Sequence, residues 1–213
     1  MLQDILFKAL KETLYMVCVS TFLSVLLAFI PSIILIITDE KGLRPNKVIY
    51  KSLDFIVNLL RSFPFIILMV AILPFTKVIA GKTIGTTAAI VPLTIAAIPF
   101  ATRVLESAMK EVDEGVIEAA KSLGASDLQI IFKVIIKEAM PSMIVAITLT
   151  IISVVGCSAM AGAIGGGGLG DVAIKYGYYR FKTDIMIYTI IILIILVQVI
   201  QSLGNAFYRK FNK

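Results

Sequence analysis

Five long apolar runs, at about 14–37, 55–75, 84–104, 134–160 and 185–203, constrain this chain more than any other feature. A helix needs about 20 mostly apolar residues to cross roughly 30 Å of hydrocarbon, and each run reaches that length. Inside a bilayer the backbone finds no water to bond, so each run must satisfy its own amides as a helix. Mean hydropathy of +0.98, with 59% hydrophobic and only 16% charged residues over 213 positions, lies outside the range of a soluble domain. The expectation is an all-α, polytopic membrane protein of five transmembrane helices, one domain over 1–213. The fourth run exceeds what a span needs and is expected to begin outside the hydrocarbon near Pro141, or to tilt. The first is too long for the apolar part of a cleaved signal, and no small-x-small site closes it, so it is expected to be retained.

Basic residues near spans tend to stay on the cytoplasmic side. With five spans, placing the N-terminus outside gathers twelve Lys and Arg inside, among them Lys41, Arg44, Arg103, Lys121 and Arg209. Seven remain outside, and Arg61 lies beside the second run. N-out, C-in is therefore expected. Basic flanks facing anionic lipid headgroups account for the net charge of +6, and no nucleic-acid partner is needed.

The search for chemistry excludes more than it finds. Histidine is absent, which removes the commonest metal ligand and general base. Cys18 and Cys157 both fall within apolar runs and read as small packing residues. Gly81, Lys82 and Thr83 imitate the end of a phosphate-binding loop, but the glycine that motif needs five positions earlier is Thr76. Gly165, Gly167 and Gly170 fit G-x-G-x-x-G without the strand that would precede a dinucleotide site. Asp39, Glu40, Glu111, Asp113, Glu114 and Glu138 lie in loops or span margins, where a solvated face explains them. No catalytic residue, metal site or cofactor is expected.

Within the runs, Pro31, Pro64, Pro74, Pro92, Pro99 and Pro141 bend or end helices. Asn58, Arg61, Ser62, Thr94, Ser153 and Ser158 are costly against lipid and are expected to face the bundle interior. A serine that merely bonds back to its own helix is the competing reading for each hydroxyl. Met160 stands among Ser158, Ala159, Ala161, Gly162 and Ala163, and its flexible side chain suits an adaptable constriction as well as ordinary packing. The glycines at 165–168 suit a bend at the outer mouth or a tight dimer contact.

Between the third and fourth runs lies a polar island, 112–137. As helix, Val116, Ile117, Ala120, Leu123, Leu128, Ile131 and Phe132 recur at three-to-four spacing and form an apolar face, with Glu111, Asp113, Glu114, Lys121, Asp127 and Lys133 on the wet side. Gly124 is expected to end a first short helix, and Ser126 or Asp127 to cap a second. The helix-turn-helix carries acids as freely as bases, which favours docking a protein over anchoring in lipid.

Glu118, Ala119 and Ala120, three residues, then Gly124 and Ala125 resemble the cytoplasmic coupling loop, here about 108–133, of the membrane subunits of bacterial ABC importers. The segments from Arg61 to Leu68, from Ala89 to Thr94, Ser158 to Met160, Gly166 to Gly170, and Tyr176 to Tyr178 resemble the methionine-importer permease branch. The likeness runs from about Leu14 to the end, with Lys137 where the wider family often has proline, leaving only Pro141. The resemblance implies a type I ABC importer permease in the bacterial cytoplasmic (inner) membrane, conducting D- and L-methionine as a homodimer. It implies two separate ATP-binding subunits at Glu118, Ala119, Ala120, Gly124 and Ala125, and an extracytoplasmic substrate-binding protein at the outer mouth. Pathway residues are expected at Ser62, Ser153, Ser158 and Met160. ATP hydrolysis belongs to the partner, not to this chain. A permease for another amino acid or short peptide, or a membrane scaffold for a cytoplasmic partner, are the alternatives; an ion-coupled carrier would need a pair of ionisable groups in the runs, where only Arg61 qualifies.

Overall fold

A seam of small and hydroxylated side chains organises the bundle. In the computed structural model, which describes residues 2–212, helix α1 (Leu2–Thr38) buries Ala9, Thr13, Met16, Ser20, Ser24, Ala28, Ser32 and Leu35 along one face. Such residues let two backbones approach closely where lipid supplies no hydrophobic drive between helices. Their partner is α5 (Thr86–Lys110), which offers Ala89, Ala97, Ala101 and Ala108, and the Ser20 hydroxyl donates across the seam to the Ile90 carbonyl at 3.4 Å. In its most apolar stretch α5 is 61% buried, which makes it the central helix, whereas α11 (Thr183–Phe211) is 11% buried and forms an outer wall. Pro92 and Pro99 lie inside α5 without ending it.

Among the described residues, four helical segments are long and apolar enough to cross a bilayer singly. The run at 55–75 is different, and is not one straight helix. It is divided among α2 (Lys47–Arg61), α3 (Phe65–Ala71) and α4 (Leu73–Ala80), and α2 and α3 meet at 95°. Pro64 causes the break: it has no N–H to continue the ladder, and it disfavours helical geometry at Phe63. Only together would α2 and α3 count as a fifth span. Arg61 and Ser62 fall near this break and are exposed, and Asn58, also exposed, accepts from Arg103 of α5.

The polar island forms α6 (Glu114–Ser122) and α7 (Asp127–Gln129), which runs through a π-helical stretch, Ile130–Ile135, into α8 (Ile136–Glu138). Lys137 is therefore an exposed helical residue, and Pro141 stands in the first turn of α9 (Met140–Ala163). At the opposite end α9 turns back through 165–168 into α10 (Gly168–Val172), continued by the π-helical Ala173–Tyr178. This reversal brings backbone against backbone: a Cβ on Gly170 would lie 2.1 Å from the Ala159 carbonyl oxygen, and one on Gly162 only 2.3 Å from the Asp171 nitrogen. The glycines thus serve a bend within the chain. The start of α10 is pinned to α1, where Glu12 Oε2 accepts the Gly168 N–H and Thr13 Oγ1 accepts the Leu169 N–H, each at 2.9 Å.

Candidate docking and pathway surfaces

Local backbone chemistry builds the helix-turn-helix. The Asp113 side chain caps α6 by accepting the Gly115 N–H at 2.8 Å. The helix ends in a paired closure, with the Ala125 N–H on the Ala120 carbonyl at 3.1 Å and the Gly124 N–H on the Lys121 carbonyl at 2.9 Å. That closure requires a left-handed residue, and Gly124 supplies it with φ of 77°. Ser126 then caps the second helix in a reciprocal pair with Gln129, so Ser126 rather than Asp127 performs that role.

The five candidate coupling residues divide by direction. Ala120 and Ala125 turn inward and pack, with Ile117, against a core of Leu105, Met109, Ile130, Ile135 and Met143. Glu118, Ala119 and Gly124 are exposed, and Glu118 lies mid-helix while Asp113 makes the cap. The expected single apolar face is not what forms. Ile131 is buried, but Leu123 is 88% exposed, and Leu128 and Phe132 also point outward. The turn at Gly124 interrupts the regular spacing ahead of Leu128, and the π-helical stretch does so around Phe132, so these three are exposed, as Glu118 and Ala119 are.

The four candidate pathway residues do not form one site. Ser153 and Met160 share a stripe of α9 with Val145, Leu149 and Gly156, and this stripe is the open side of the helix. Met160 is 48% exposed and a Cβ on Gly156 would meet nothing within 4 Å. Ser158 faces the other way, buried, and donates to the Val155 carbonyl at 2.7 Å. Ser62 ends α2 and donates to the Leu59 carbonyl at 2.6 Å, remote in sequence from that stripe and bonded to its own helix.

A buried ionic cluster escaped the sequence reading. Glu106, 1% exposed, accepts from Arg103 Nη1 and Lys110 Nζ at 2.8 Å each and from the Tyr50 hydroxyl at 3.2 Å. Arg103 also binds Asp54 and Asn58, and Lys110 reaches Asp39 at 2.7 Å, so α2 and the end of α1 are fastened to α5. Asp39 is thus not merely solvated. Burial alone would raise its carboxyl, but the Lys110 ammonium and the Lys41 backbone N–H hold it below the usual carboxylate range. The available signal was the spacing of Arg103, Glu106 and Lys110, which puts three charges on one face of an apolar helix.

Comparison with known proteins adds the family. Residues 32–213 match the model of the binding-protein-dependent transport system inner membrane component. The chain belongs to that family. A probable D-methionine transport system permease protein MetI of Vibrio cholerae serotype O1 is 51% identical over 209 residues, 98% of this chain and 93% of that protein. The methionine import system permease protein MetP of Bacillus subtilis is 42% identical over 208 residues, 98% and 94% of the two chains. An inward-facing structure of the MetNI methionine ABC transporter superposes with a TM-score of 0.97 at 41% identity, covering 99% of this chain and 98% of that one. As an inner membrane transport component the chain has the fold of an ABC importer permease, with the bent pair α2 and α3 in place of a straight span.

Proposed function

We propose that this chain is the permease subunit of a methionine ABC importer, acting as a homodimer with its N-terminus outside. Two ATPase subunits seat on the α6–α7 surface from the cytoplasm, and a binding protein delivers methionine at the glycine-loop end. The observation that carries the reading is the division of the helix-turn-helix into inward anchors, Ala120 and Ala125, and an outward surface of Glu118, Ala119, Gly124, Leu123 and Leu128. A surface that leaves Leu123 and Leu128 in water is unfavourable without a partner, and the exposed Glu118 carboxylate offers that partner a charge-assisted contact. The substrate rests on full-length relatives named for methionine. The open stripe of α9 with Ser153, Gly156 and Met160 supports a pathway shared between two copies. ATP-driven closure of the ATPases would draw the two docking surfaces together and rock the bundles between outward and inward access.

Reconstitution with the ATPase and binding protein in proteoliposomes tests this. ATP-dependent uptake of D- and L-methionine is expected, uncompeted by other amino acids. A Cβ on Gly124 meets no atom within 4 Å, so Gly124→Asp leaves the bundle intact while spoiling the turn and the surface. An assembled Gly124→Asp complex that still couples uptake to ATP refutes the docking assignment.

A further inference from the structure

The segment 39–46 between α1 and α2 touches the helix-turn-helix at both of its helices. It is a tightly closed loop: the Gly42 N–H bonds the Asp39 carbonyl at 2.9 Å, the Arg44 N–H the Ile37 carbonyl at 2.9 Å, and the Asn46 N–H the Thr38 carbonyl at 3.0 Å. Gly42 allows this closure, since a Cβ there would sit 2.4 Å from the carbonyl oxygens of Ile36 and Ile37. From this platform Lys41 Nζ reaches Glu114 Oε1 at 2.8 Å, and Arg44 Nε reaches Asp127 Oδ2 at 2.5 Å. Glu114 is the first residue of α6 and Asp127 the first of α7. One cation therefore holds each short helix at its N-terminal end, where the carboxylate is already favoured by the helix dipole.

We propose that the 39–46 loop is a two-point brace that ties the coupling helices to the end of α1, with Lys41 and Arg44 as positioning residues for ATP-coupled transport. The inference rests on the coupling role proposed above. Without the brace, α6 and α7 connect to the bundle through 111–113, through the helical run into α9, and through the inward packing of Ile117, Ala120 and Ala125. With it, a sideways displacement of either short helix also loads α1, the 37-residue helix that packs along the central α5. The contact is made by its ends rather than by continuous packing, because a cavity of about 310 Å³ separates the loop from α6, lined by Leu43, Met109, Ile117 and Ile135. Both ion pairs are exposed and contribute little to folding, so they can be broken in a folded complex.

The test uses the complete transporter in proteoliposomes, comparing wild type, Lys41→Glu/Arg44→Asp, and the reversal pair Arg44→Asp/Asp127→Arg against Arg44→Asp alone. Methionine taken up per ATP hydrolysed is read alongside co-purification of the ATPase and the KM for loaded binding protein. The brace predicts that Lys41→Glu/Arg44→Asp assembles with unchanged KM but loses about five-fold in uptake per ATP, the upper end of what exposed ion pairs can bias. The reversal pair is expected to recover most of what Arg44→Asp loses, which a general loss of structure would not allow. An unchanged ratio in Lys41→Glu/Arg44→Asp, or a loss that Asp127→Arg does not restore, overturns the brace. If wild type itself shows no ATP-dependent uptake, the proposed function fails instead.

Discussion

Replacing Glu106 with alanine deletes the acceptor at the centre of the ionic cluster, and the structure allows its cost to be bounded. Three contacts vanish, from Arg103 Nη1, Lys110 Nζ and the Tyr50 hydroxyl, at a residue 1% exposed. Breaking a buried ion pair from one side costs about 3–5 kcal/mol when the other charge is left alone. Here neither cation is left alone: Arg103 keeps Asp54 and Asn58, and Lys110 keeps Asp39. Their side chains are also 24% and 39% exposed, so water screens part of the loss. The expected cost falls to about 2–3 kcal/mol, and to about 1–2 kcal/mol for Glu106→Gln, which keeps the volume and one acceptor. At about 2–4 °C per kcal/mol for a chain of this size, Glu106→Ala lowers the Tm by about 4–12 °C. A thiol-reactive dye on the detergent-solubilised permease reads this through Cys157, half-buried, in a Cys18→Ser background that removes the exposed thiol. Lys47→Ala is the control, since Lys47 and Glu40 lie 3.9 Å apart with side chains 69% and 82% exposed. If Glu106→Ala melts with that control, the cluster does not hold α2 to α5 and the reasoning fails.

Gly170→Ala forces a methyl group to within 2.1 Å of the Ala159 carbonyl oxygen, so a loss above about 3 kcal/mol and poor recovery of folded protein by size-exclusion chromatography are expected. Gly156→Ala meets open space within a helix and should raise thermal stability by up to about 1 kcal/mol, while slowing methionine uptake because the new methyl group projects from the open stripe of α9; unchanged uptake would remove that stripe from the pathway. The 39–46 loop should be insensitive to pH over the physiological range. Asp39 has a depressed carboxyl, so its contribution is present above about pH 4 and lost as pH falls further, whereas Lys41 is raised by the hydrogen bond and charge of Glu114, so its contribution is present below about pH 10 and lost above it. Amide exchange at Arg44 and Asn46, corrected for intrinsic rate, should therefore stay flat from about pH 5 to 9; a drop in protection between pH 6 and 7 would contradict the assigned partners.

The long helices were legible because lipid leaves the backbone one solution, so length and composition decide α1, α5, α9 and α11. The same reasoning did not show the bend in 55–75, since apolar content does not report chain direction. Pro64 was visible as a breaker, but a 95° turn follows from what α2 and α3 each pack against, and α2 is drawn aside by Asp54 and Asn58 binding Arg103. The burial of Glu106 was hidden for a related reason. It stands just beyond the apolar run at 84–104, where a carboxylate reads as solvated, and although Arg103 and Lys110 lie within four residues of it, Tyr50, Asp54, Asn58 and Asp39, which complete the cluster, come from a helix and a loop far away in sequence.

In the helix-turn-helix, the turn and cap were local and therefore readable: Gly124 alone fits a left-handed closure, and Ser126 with Gln129 forms a reciprocal cap. The direction of Leu123, Leu128 and Phe132 was not, because periodicity identifies an apolar face without naming what covers it. A face turned to the protein's own core and a face awaiting another chain have the same pattern in sequence. What separates them is tertiary: Ile117, Ala120, Ala125 and Ile130 join a core cluster with Leu105 and Met109 of α5 and Met143 of α9, whereas Leu123, Leu128 and Phe132 stay exposed. The same logic applies to α9, whose inward side is filled by Met143, Ala146, Val154 and Val155 while Leu149, Gly156 and Met160 stay open. Residues that local structure does not need, on faces the fold does not cover, are where a multisubunit transporter would carry its remaining contacts.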